Sequence, residues 1–355
     1  MKLHIPGPVD VAPDVLEKMA TPMIGHRTKE ISNLQKSISE KVKKLFFTNN
    51  QIILSTSSGS GLMEMAIRSC TKNAAAVFSV GSFGDRWYKM GKANGLNVDV
   101  FRAEPGKPTT PEIVEEALKT GKYDLITVTH NETSTAVMNP VDKIGEVVKK
   151  YPDVVFCIDA VSSMGGVKID TDNWGIDICI TSTQKCVGLP PGLSIASVSE
   201  KAYNRANEVK NRGLYFDLVE VYKMAAEKNQ YPSTPSISHM FALDYQLSKI
   251  LDKEGLENRF ARHHELAVYM REWTNKYFKV FAEPGYESQT LTTIENTRGI
   301  DVGKLIKELE KEGHLIGNGY GDLKDKTFRI AHMNERTLDE LKELLDLIEK
   351  KLDLK

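Results

Sequence analysis

Short apolar segments rich in β-branched residues recur between residues 74 and 200, with helix-like stretches between some of them. They are AAAVFSV, NVDVFRA, YDLITVTH, DVVFCIDA, DICITST and LSIASVS. Apolar runs of this kind are typical of strands that are buried on both faces of a parallel sheet. The intervening EIVEEALKTG and VDKIGEVVKKY have apolar residues three and four apart, which predicts helices between strands, and Gly121 is placed to end the first of them.

After about residue 240 the pattern changes to long charged helical stretches. One begins FALDYQLSKILDKEG, the chain closes with TLDELKELLDLIEKKLDLK, and the strand-like ESQTLTTIE and KTFRIAHM lie between them. An α+β unit behind a doubly wound one fits these lengths. We therefore predict an α/β protein with an N-terminal arm (1–20), a large domain (21–245) on a mostly parallel sheet, and a small C-terminal α+β domain (246–355).

The charges of the 355-residue chain are balanced and dispersed. Forty-seven basic residues stand against 48 acidic ones, a pattern without the basic surface that nucleic acid or an anionic membrane requires. The opening MKLHIPGPVDVAPD lacks the order of a signal peptide, and no apolar run reaches the roughly 18 residues that span a bilayer. We expect a cytoplasmic protein that binds neither nucleic acid nor membrane.

The four cysteines do not form a recognisable motif. Cys70, Cys157, Cys179 and Cys186 have neither the context of a secreted disulfide scaffold nor the CxxC spacing of a zinc site. We expect reduced, mostly buried thiols and no metal site. Cys186 is next to Lys185, and it receives no role.

Residues that directly follow the apolar segments are the first candidates for chemistry. In a parallel sheet, ligands bind beyond the carboxyl ends of the strands. The candidates are Ser58, Gly59 and Ser60 after IILSTS, Phe83 after FSVGS, His130 to Thr133 after LITVT, Asp159 after VVFCI and Lys185 after ICITSTQ. They come from separate parts of the sequence and are expected at one edge of the sheet.

The segment STSSGSGLMEMAIRS is a Ser/Gly-rich turn that leads into a predicted helix. Unpaired N–H groups and the positive end of the helix can hold a phosphate there, although a plain capped helix start has the same composition. A dinucleotide fingerprint fits less well, because Glu64 stands where the third glycine or alanine is needed. The segment favours a phosphate site over an NAD site.

Asp159 and Lys185 follow two successive apolar segments. An unpaired carboxylate is costly in such a place, but on its own Asp159 is better explained as a helix cap. A partly desolvated lysine becomes a nucleophile as its pKa falls, and an aspartate at the same edge can bind the protonated nitrogen of a pyridine ring. Together with the phosphate turn, the two residues are typical of a pyridoxal phosphate site.

Eight segments, in order along the chain, resemble the class V aminotransferases of the alanine–glyoxylate and serine–pyruvate type. They are IPGP, SGSGLMEMA, GSFGDRW, THNETSTAV, CIDAVSSMGG, GIDICITSTQKCVGLPPG, YPSTPS and FRIAH. The resemblance implies fold type I of the pyridoxal-phosphate-dependent transferases, in which the large domain has a mostly parallel sheet of the seven-stranded type. It also implies a ping-pong transfer of an amino group from alanine or serine to glyoxylate or pyruvate.

The resemblance also implies the roles of matching residues. Lys185 would bind the cofactor pyridoxal 5′-phosphate covalently, as a Schiff base, and Asp159 would contact its ring nitrogen. The other implied cofactor contacts are Ser58, Gly59, Ser60 and Gln184 at the phosphate, Phe83 and Val161 on the two ring faces, and Thr133 near the ring. Tyr231 and Thr234 would reach the phosphate of the neighbouring subunit, which implies a homodimer with shared active sites.

Two residues are implied to contact the substrate. Arg329 in TFRIAH would bind its carboxylate, a task that suits the forked donors of a guanidinium. Gly7 in IPGP belongs to a segment that closes over the substrate. The roles of His26 and Arg27 stay open, since in some relatives an arginine there binds a second anionic group.

Three positions depart from the family pattern. Ser57 replaces a frequent glycine before the phosphate turn, and Phe83 replaces the commonest tryptophan, which leaves a smaller surface for stacking. Asn131 stands where glycine is usual, which changes the shape of that wall of the site.

Three other functions are compared with this one. Cysteine desulfuration is set aside, because no cysteine follows Cys186 and because Phe83 and Gln184 stand where desulfurases have histidine. A phosphoserine or aspartate aminotransferase needs a further cation, for which Arg27 is a candidate. A non-catalytic subunit is the third alternative, because some relatives are described as components of a soluble hydrogenase. The retained lysine, aspartate and arginine disfavour it.

Overall fold

The computed structural model describes residues 1–354, and its strands form two sheets. In chain order the strands are β1 (Lys2–His4), β2 (Gln51–Ser55), β3 (Ala75–Ser79), β4 (Val98–Arg102), β5 (Leu125–Thr129), β6 (Val155–Asp159), β7 (Ile178–Ser182), β8 (Ser194–Val198), β9 (Lys279–Val280), β10 (Leu291–Glu295), β11 (His314–Asn318) and β12 (Thr327–Ala331). The larger sheet has the order β2-β8-β7-β6-β5-β3-β4. Only β8 runs antiparallel to its neighbours, which confirms the predicted mostly parallel sheet of seven strands.

Helices cover both faces of this sheet. In chain order the helices are α1 (Pro13–Met19), α2 (Lys29–Phe46), α3 (Gly59–Cys70), α4 (Gly84–Ala93), α5 (Pro111–Lys119), α6 (Val141–Val148), α7 (Glu200–Glu208), α8 (Leu218–Lys228), α9 (Ile237–Ser248), α10 (Leu256–Tyr277), α11 (Val302–Lys311) and α12 (Leu338–Leu352). Alternate residues of β6 enter opposite cores: Phe156 and Ile158 pack on the side of α2, α5, α6 and α9, and Val155 and Cys157 on the side of α3, α4, α7 and α8. This alternation explains why the strands are apolar throughout.

A second sheet of five strands, β1-β11-β12-β10-β9, lies in the C-terminal part of the chain. Its core is shared with α10, α11 and α12. β1 comes from the N-terminal arm and pairs in parallel with β11, with Lys2 opposite His314. Neither strand is predicted by the sequence pattern, because β1 is only three residues long and β11 lacks a long apolar run.

The charged stretch after residue 240 forms two helices. α9 continues into a π-helical turn over Lys249–Glu254, and α10 begins after Gly255, whose φ of 78° breaks the helical path. The predicted domain division at residue 245 falls inside α9. The division itself stays a prediction.

Within residues 1–354, no helix combines the length and apolarity that crossing a membrane requires. All four cysteines are buried and free of disulfides, as predicted. In the same part of the chain, no three His, Cys, Asp or Glu side chains are grouped so that they could hold a metal ion.

Candidate active site

The carboxyl ends of the strands bring the predicted residues to one edge of the large sheet. Asp159 is the last residue of β6, and Lys185 follows the neighbouring β7. Thr133 lies in the loop after β5, and Ser58 and Phe83 precede α3 and α4. The sheet topology therefore gathers segments that are far apart in sequence, as the sequence predicts.

Lys185 is enclosed by the N-terminal arm. Its side chain is buried, with 8% of the residue exposed, and its Nζ donates a hydrogen bond to the carbonyl oxygen of Pro6. The pKa of Lys185 is lowered from 10.5 to about 8, mainly by burial and secondly by the positive charge of Arg329. Near neutral pH, a far larger fraction of this amine is uncharged and nucleophilic than for an exposed lysine.

Gly7 leaves the space that the lysine fills. A Cβ at Gly7 would lie 2.6 Å from Cδ, 2.8 Å from Cε and 2.9 Å from Nζ of Lys185, and Gly7 has a φ of 91°. Both the contact and the backbone conformation require glycine. The predicted segment of the arm therefore lies on the candidate lysine, and its contact with substrate stays a prediction.

We expect Gly7→Ala to slow cofactor capture, because the new methyl group would displace either the arm or the lysine. The rate at which cofactor-free protein gains visible absorbance on adding pyridoxal phosphate should fall about ten- to a hundredfold, the effect of misplacing a reacting group by about 1 Å. Gly95→Ala is a matched control, since Gly95 has a φ of 71° but nothing within 4 Å of a new Cβ. Equal capture rates for the two variants would show that the contact with Lys185 is irrelevant.

Asp159 is a buried carboxylate whose position is fixed by the main chain. Its Oδ1 accepts a hydrogen bond of 2.8 Å from the N–H of Val161, and its carbonyl accepts one of 2.8 Å from His130. Burial raises the pKa of Asp159 to about 6; the Val161 hydrogen bond opposes this rise, and the nearby carboxylate of Glu132 adds to it. A protonated partner such as a pyridinium nitrogen would stabilise the charged form.

The turn before α3 leaves polar groups available for an anion. Ser58 is the N-cap residue, yet its side chain makes no capping hydrogen bond. A Cβ at Gly59 would lie 2.7 Å from Cγ2 of Val161 and 3.4 Å from Oγ of Ser182. The turn, the loop after Asp159 and the end of β7 therefore meet at Gly59.

Two buried side-chain atoms at this place have no hydrogen-bond partner within the described residues. They are Oγ of Ser182 and Oε1 of Gln184. Buried polar atoms are normally paired, and a phosphate would supply the partner for the Ser182 hydroxyl. The residues present therefore fit pyridoxal phosphate, and Ser182 is a candidate phosphate contact that sequence reasoning missed, with only its position before Lys185 as a signal.

Arg86 is a second residue that sequence reasoning missed. Its Nη1 donates a hydrogen bond of 2.8 Å to Oγ of Ser60, and its guanidinium carbon lies 4.6 Å from the ring centroid of Phe83. The positive charge also lowers the pKa of Lys185 and of Asp159. Arg86 thus connects the predicted phosphate turn with the predicted stacking ring.

Glu132 holds the loop that carries Phe83. The carboxylate is fully buried and accepts hydrogen bonds from the N–H groups of Phe83 (3.1 Å) and Gly84 (3.0 Å) and from the hydroxyl of Ser134 (2.6 Å). Charge-assisted hydrogen bonds of this kind are strong. Sequence reasoning placed Glu132 among the candidates but gave it no role.

The loop after β5 is joined to the loop after β6. Oγ1 of Thr133 lies 2.5 Å from Oγ of Ser162, and Nδ2 of Asn131 donates to the Ser162 carbonyl and to Oγ1 of Thr290, each at 3.0 Å. Asn131, which replaces a usual glycine, therefore braces this wall. The ring contact of Thr133 stays a prediction.

Arg329 lies in the middle of β12, close enough to Lys185 for its charge to lower the pKa of that lysine. Its Nε donates to the Asn318 carbonyl (2.9 Å) and its Nη1 to the Thr133 carbonyl (3.2 Å), and the guanidinium lies 5.5 Å from the ring centroid of Tyr320. Across residues 1–354, its Nη2 has no hydrogen-bond partner. A held guanidinium with one nitrogen available suits a carboxylate ligand.

The residues predicted to contact a neighbouring subunit's phosphate line a surface depression of their own chain, and Lys185 is not part of its lining. The Tyr231 side chain is buried and its hydroxyl donates to Oε1 of Gln35, while Thr234 is exposed. Arg27 donates to the carbonyls of Tyr231 and Pro232. The contacts of Tyr231 and Thr234 with a partner's phosphate stay a prediction, and so does any role of His26.

Comparison with known proteins gives one consistent family. The model of the family described as aminotransferase class-V matches residues 15–320. An uncharacterized aminotransferase of Methanocaldococcus jannaschii is 41% identical over 93% of this chain and 87% of its own. An L-aspartate–glyoxylate aminotransferase of Paracoccus denitrificans (94% of this chain, 87% of its own) and a serine–glyoxylate aminotransferase of Methylorubrum extorquens (94% and 86%) are each 32% identical.

The fold has a close counterpart among solved structures. An alanine–glyoxylate aminotransferase from Nostoc sp. superposes with a TM-score of 0.93 at 27% identity. The match covers 99% of this chain and 94% of that one. The likeness extends over both sheets and the N-terminal arm.

Proposed function

Because the chain belongs to the class-V aminotransferases, which use pyridoxal 5′-phosphate, we propose that it transfers the amino group of alanine or serine to glyoxylate or pyruvate. The observation that supports this most is the position of Arg329 beside the Lys185 pocket with Nη2 available. One guanidinium matches the single carboxylate of a small amino acid or oxoacid. Relatives named for glyoxylate support the same substrates.

In the proposed mechanism, each residue holds or moves a specific group. The bound cofactor supplies an acceptor for the electrons left when the substrate Cα loses its proton. Lys185 would hold the cofactor, and its amine, once free, would be the base that moves the proton of the substrate Cα. Asp159 would keep the ring nitrogen protonated, and Arg329 would orient the substrate by its carboxylate. The first product leaves before the second substrate binds, which makes the reaction ping-pong.

An acidic amino donor is the alternative that one observation favours. Such a substrate needs a second cation, and Arg86 lies close enough to lower the pKa of both Lys185 and Asp159. Arg27 fits this role less well, because both of its terminal nitrogens donate to main-chain carbonyls. An L-aspartate–glyoxylate aminotransferase among the relatives is consistent with this alternative.

A panel of amino donors and oxoacid acceptors tests the proposal. With the cofactor-loaded protein, we expect the highest kcat/KM for alanine or serine paired with glyoxylate or pyruvate. The single guanidinium of Arg329 binds one carboxylate, which favours substrates that have only one. Arg86→Lys loses the forked donors of the guanidinium, so it should lower any activity with aspartate more than the activity with alanine or serine. Turnover confined to aspartate or phosphoserine would replace the proposal by its alternative. No turnover with any pair would favour the non-catalytic role.

We also propose that the protein is a homodimer with shared active sites. Leu214 and Tyr215 are 93% and 52% exposed, and Tyr215 lines the same surface depression as Tyr231 and Thr234. Exposed apolar surface of this kind commonly marks an interface. Light scattering that gives the mass of one chain would contradict the dimer.

The free thiols favour a cytoplasmic location, which cell fractionation would test.

A further inference from the structure

Arg259 is a fully buried cation on α10, outside the set of residues described so far. Arginine is rarely buried completely unless its charge is paired. Nη1 donates to Oε2 of Glu254 at 2.6 Å, which supplies the counter-charge. The remaining donors bind elsewhere, and their partners lie next to the candidate catalytic residues.

The other two nitrogens of Arg259 bind two loops of the large sheet. Nε donates to the carbonyl of Gly165 at 2.8 Å, and Nη2 to the carbonyl of Cys186 at 2.5 Å. Gly165 lies in the loop that follows Asp159, and Cys186 is the residue after Lys185. One guanidinium therefore binds the main chain of two loops, the loop after Asp159 and the loop that contains Lys185, and holds both against α10. These two loops are called the catalytic loops below.

The same cluster reaches the arm that covers the lysine. Oδ1 of Asn334 lies 3.5 Å from Nη2 of Arg259, and Nδ2 of Asn334 donates to the carbonyl of Asp10 at 2.9 Å. A Cβ at Gly188 would lie 2.2 Å from the same Oδ1, so Asn334 also packs on the lysine loop. Arg259 thus has a second, indirect connection to the lysine pocket.

We propose that Arg259 is a positioning residue that fixes the Lys185 amine relative to Asp159. A guanidinium has five N–H donors in a rigid fork, so it can hold two carbonyls and a carboxylate at once. A lysine carries one ammonium group and cannot reach all three acceptors in that geometry. Reacting groups must be held within about 0.5 Å of the productive geometry. Loss of these hydrogen bonds is therefore expected to lower the catalytic rate even in a protein that still folds.

The test compares R259K with R262K in the full, cofactor-loaded chain. Arg262 is a matched control, because its Nε and Nη2 donate to Oε1 of the same Glu254 (2.9 and 2.7 Å) and its Nη1 to the Arg336 carbonyl, so it touches neither catalytic loop. We expect R259K to lower kcat about ten- to a hundredfold, with a KM for the amino donor within about threefold. R262K should leave kcat close to wild type.

A second measurement separates positioning from general destabilisation. In cofactor-free protein, the pH midpoint of pyridoxal phosphate capture reports the free Lys185 amine. R259K should shift it upward, towards that of an ordinary lysine, because a loosened loop lets water reach Nζ. An unchanged kcat and midpoint in R259K, or equal losses in R262K, would overturn the proposal. An R259K protein that fails to fold while R262K folds would also overturn it, because Arg259 would then be required for folding and not for positioning the lysine.

Discussion

Lys185→Ala is expected to lose the visible absorbance of the bound cofactor and essentially all turnover. In the proposed mechanism, the substitution removes both the amine that holds the cofactor and the base that moves the Cα proton. General-base catalysis by a positioned side chain alone contributes up to about 10⁴-fold, and loss of covalent attachment adds to this loss. The absorbance spectrum after gel filtration with pyridoxal phosphate, followed by a steady-state assay, measures both effects.

Lys168→Ala is the control for this variant, because Lys168 is exposed and pairs with Asp170 away from the pocket. Its spectrum and turnover should equal those of the wild type. A Lys185→Ala protein that keeps more than about a hundredth of the activity would place the base elsewhere, since that loss is smaller than general-base catalysis usually supplies.

Asp159→Asn is expected to retain the cofactor but to slow removal of the Cα proton by about 10²- to 10⁴-fold. The amide keeps the size of the carboxylate and the acceptor for the Val161 N–H, whereas it cannot stabilise a protonated ring nitrogen. Because proton removal becomes slower than the other steps, the kinetic isotope effect with Cα-deuterated substrate should increase. Single-turnover absorbance measurements give the rate.

Asp99→Asn provides the comparison, since Asp99 lies on β4 of the same sheet and pairs with Lys122 at the surface. Its rate and isotope effect should not change. An Asp159→Asn protein with an unchanged single-turnover rate would contradict the role of Asp159 at the ring nitrogen.

The large sheet is predictable because most of its strands are buried on both faces. Each of β3, β5, β6, β7 and β8 is buried at every position. Strands that are buried on both faces are recognisable in the sequence as apolar runs. β1 has no such signal: its only fully buried residue is His4, and the strand exists because β11 offers it a partner. Pairing between distant segments leaves no local pattern.

The same distinction applies to the candidate site. Residues directly after strands, such as Asp159 and Lys185, are marked by their position. Ser182, Arg86 and Arg259 are not, because their importance depends on contacts with Gly59, Phe83 and the carbonyls of distant loops. Every residue has a main-chain carbonyl, whatever its side chain, so the sequence does not reveal which carbonyl an arginine will bind.

The pairing of β1 with β11 also sets an order of events during synthesis. The arm whose Pro6 carbonyl binds Lys185 is made first, whereas its partner strand begins only at His314. While the ribosome is still making the intervening residues, the emerging large domain can fold around its own core, but the arm has no strand to pair with. The lysine pocket is therefore open on the nascent chain and is closed only when about the last eighth of the protein, from His314 onward, has been released.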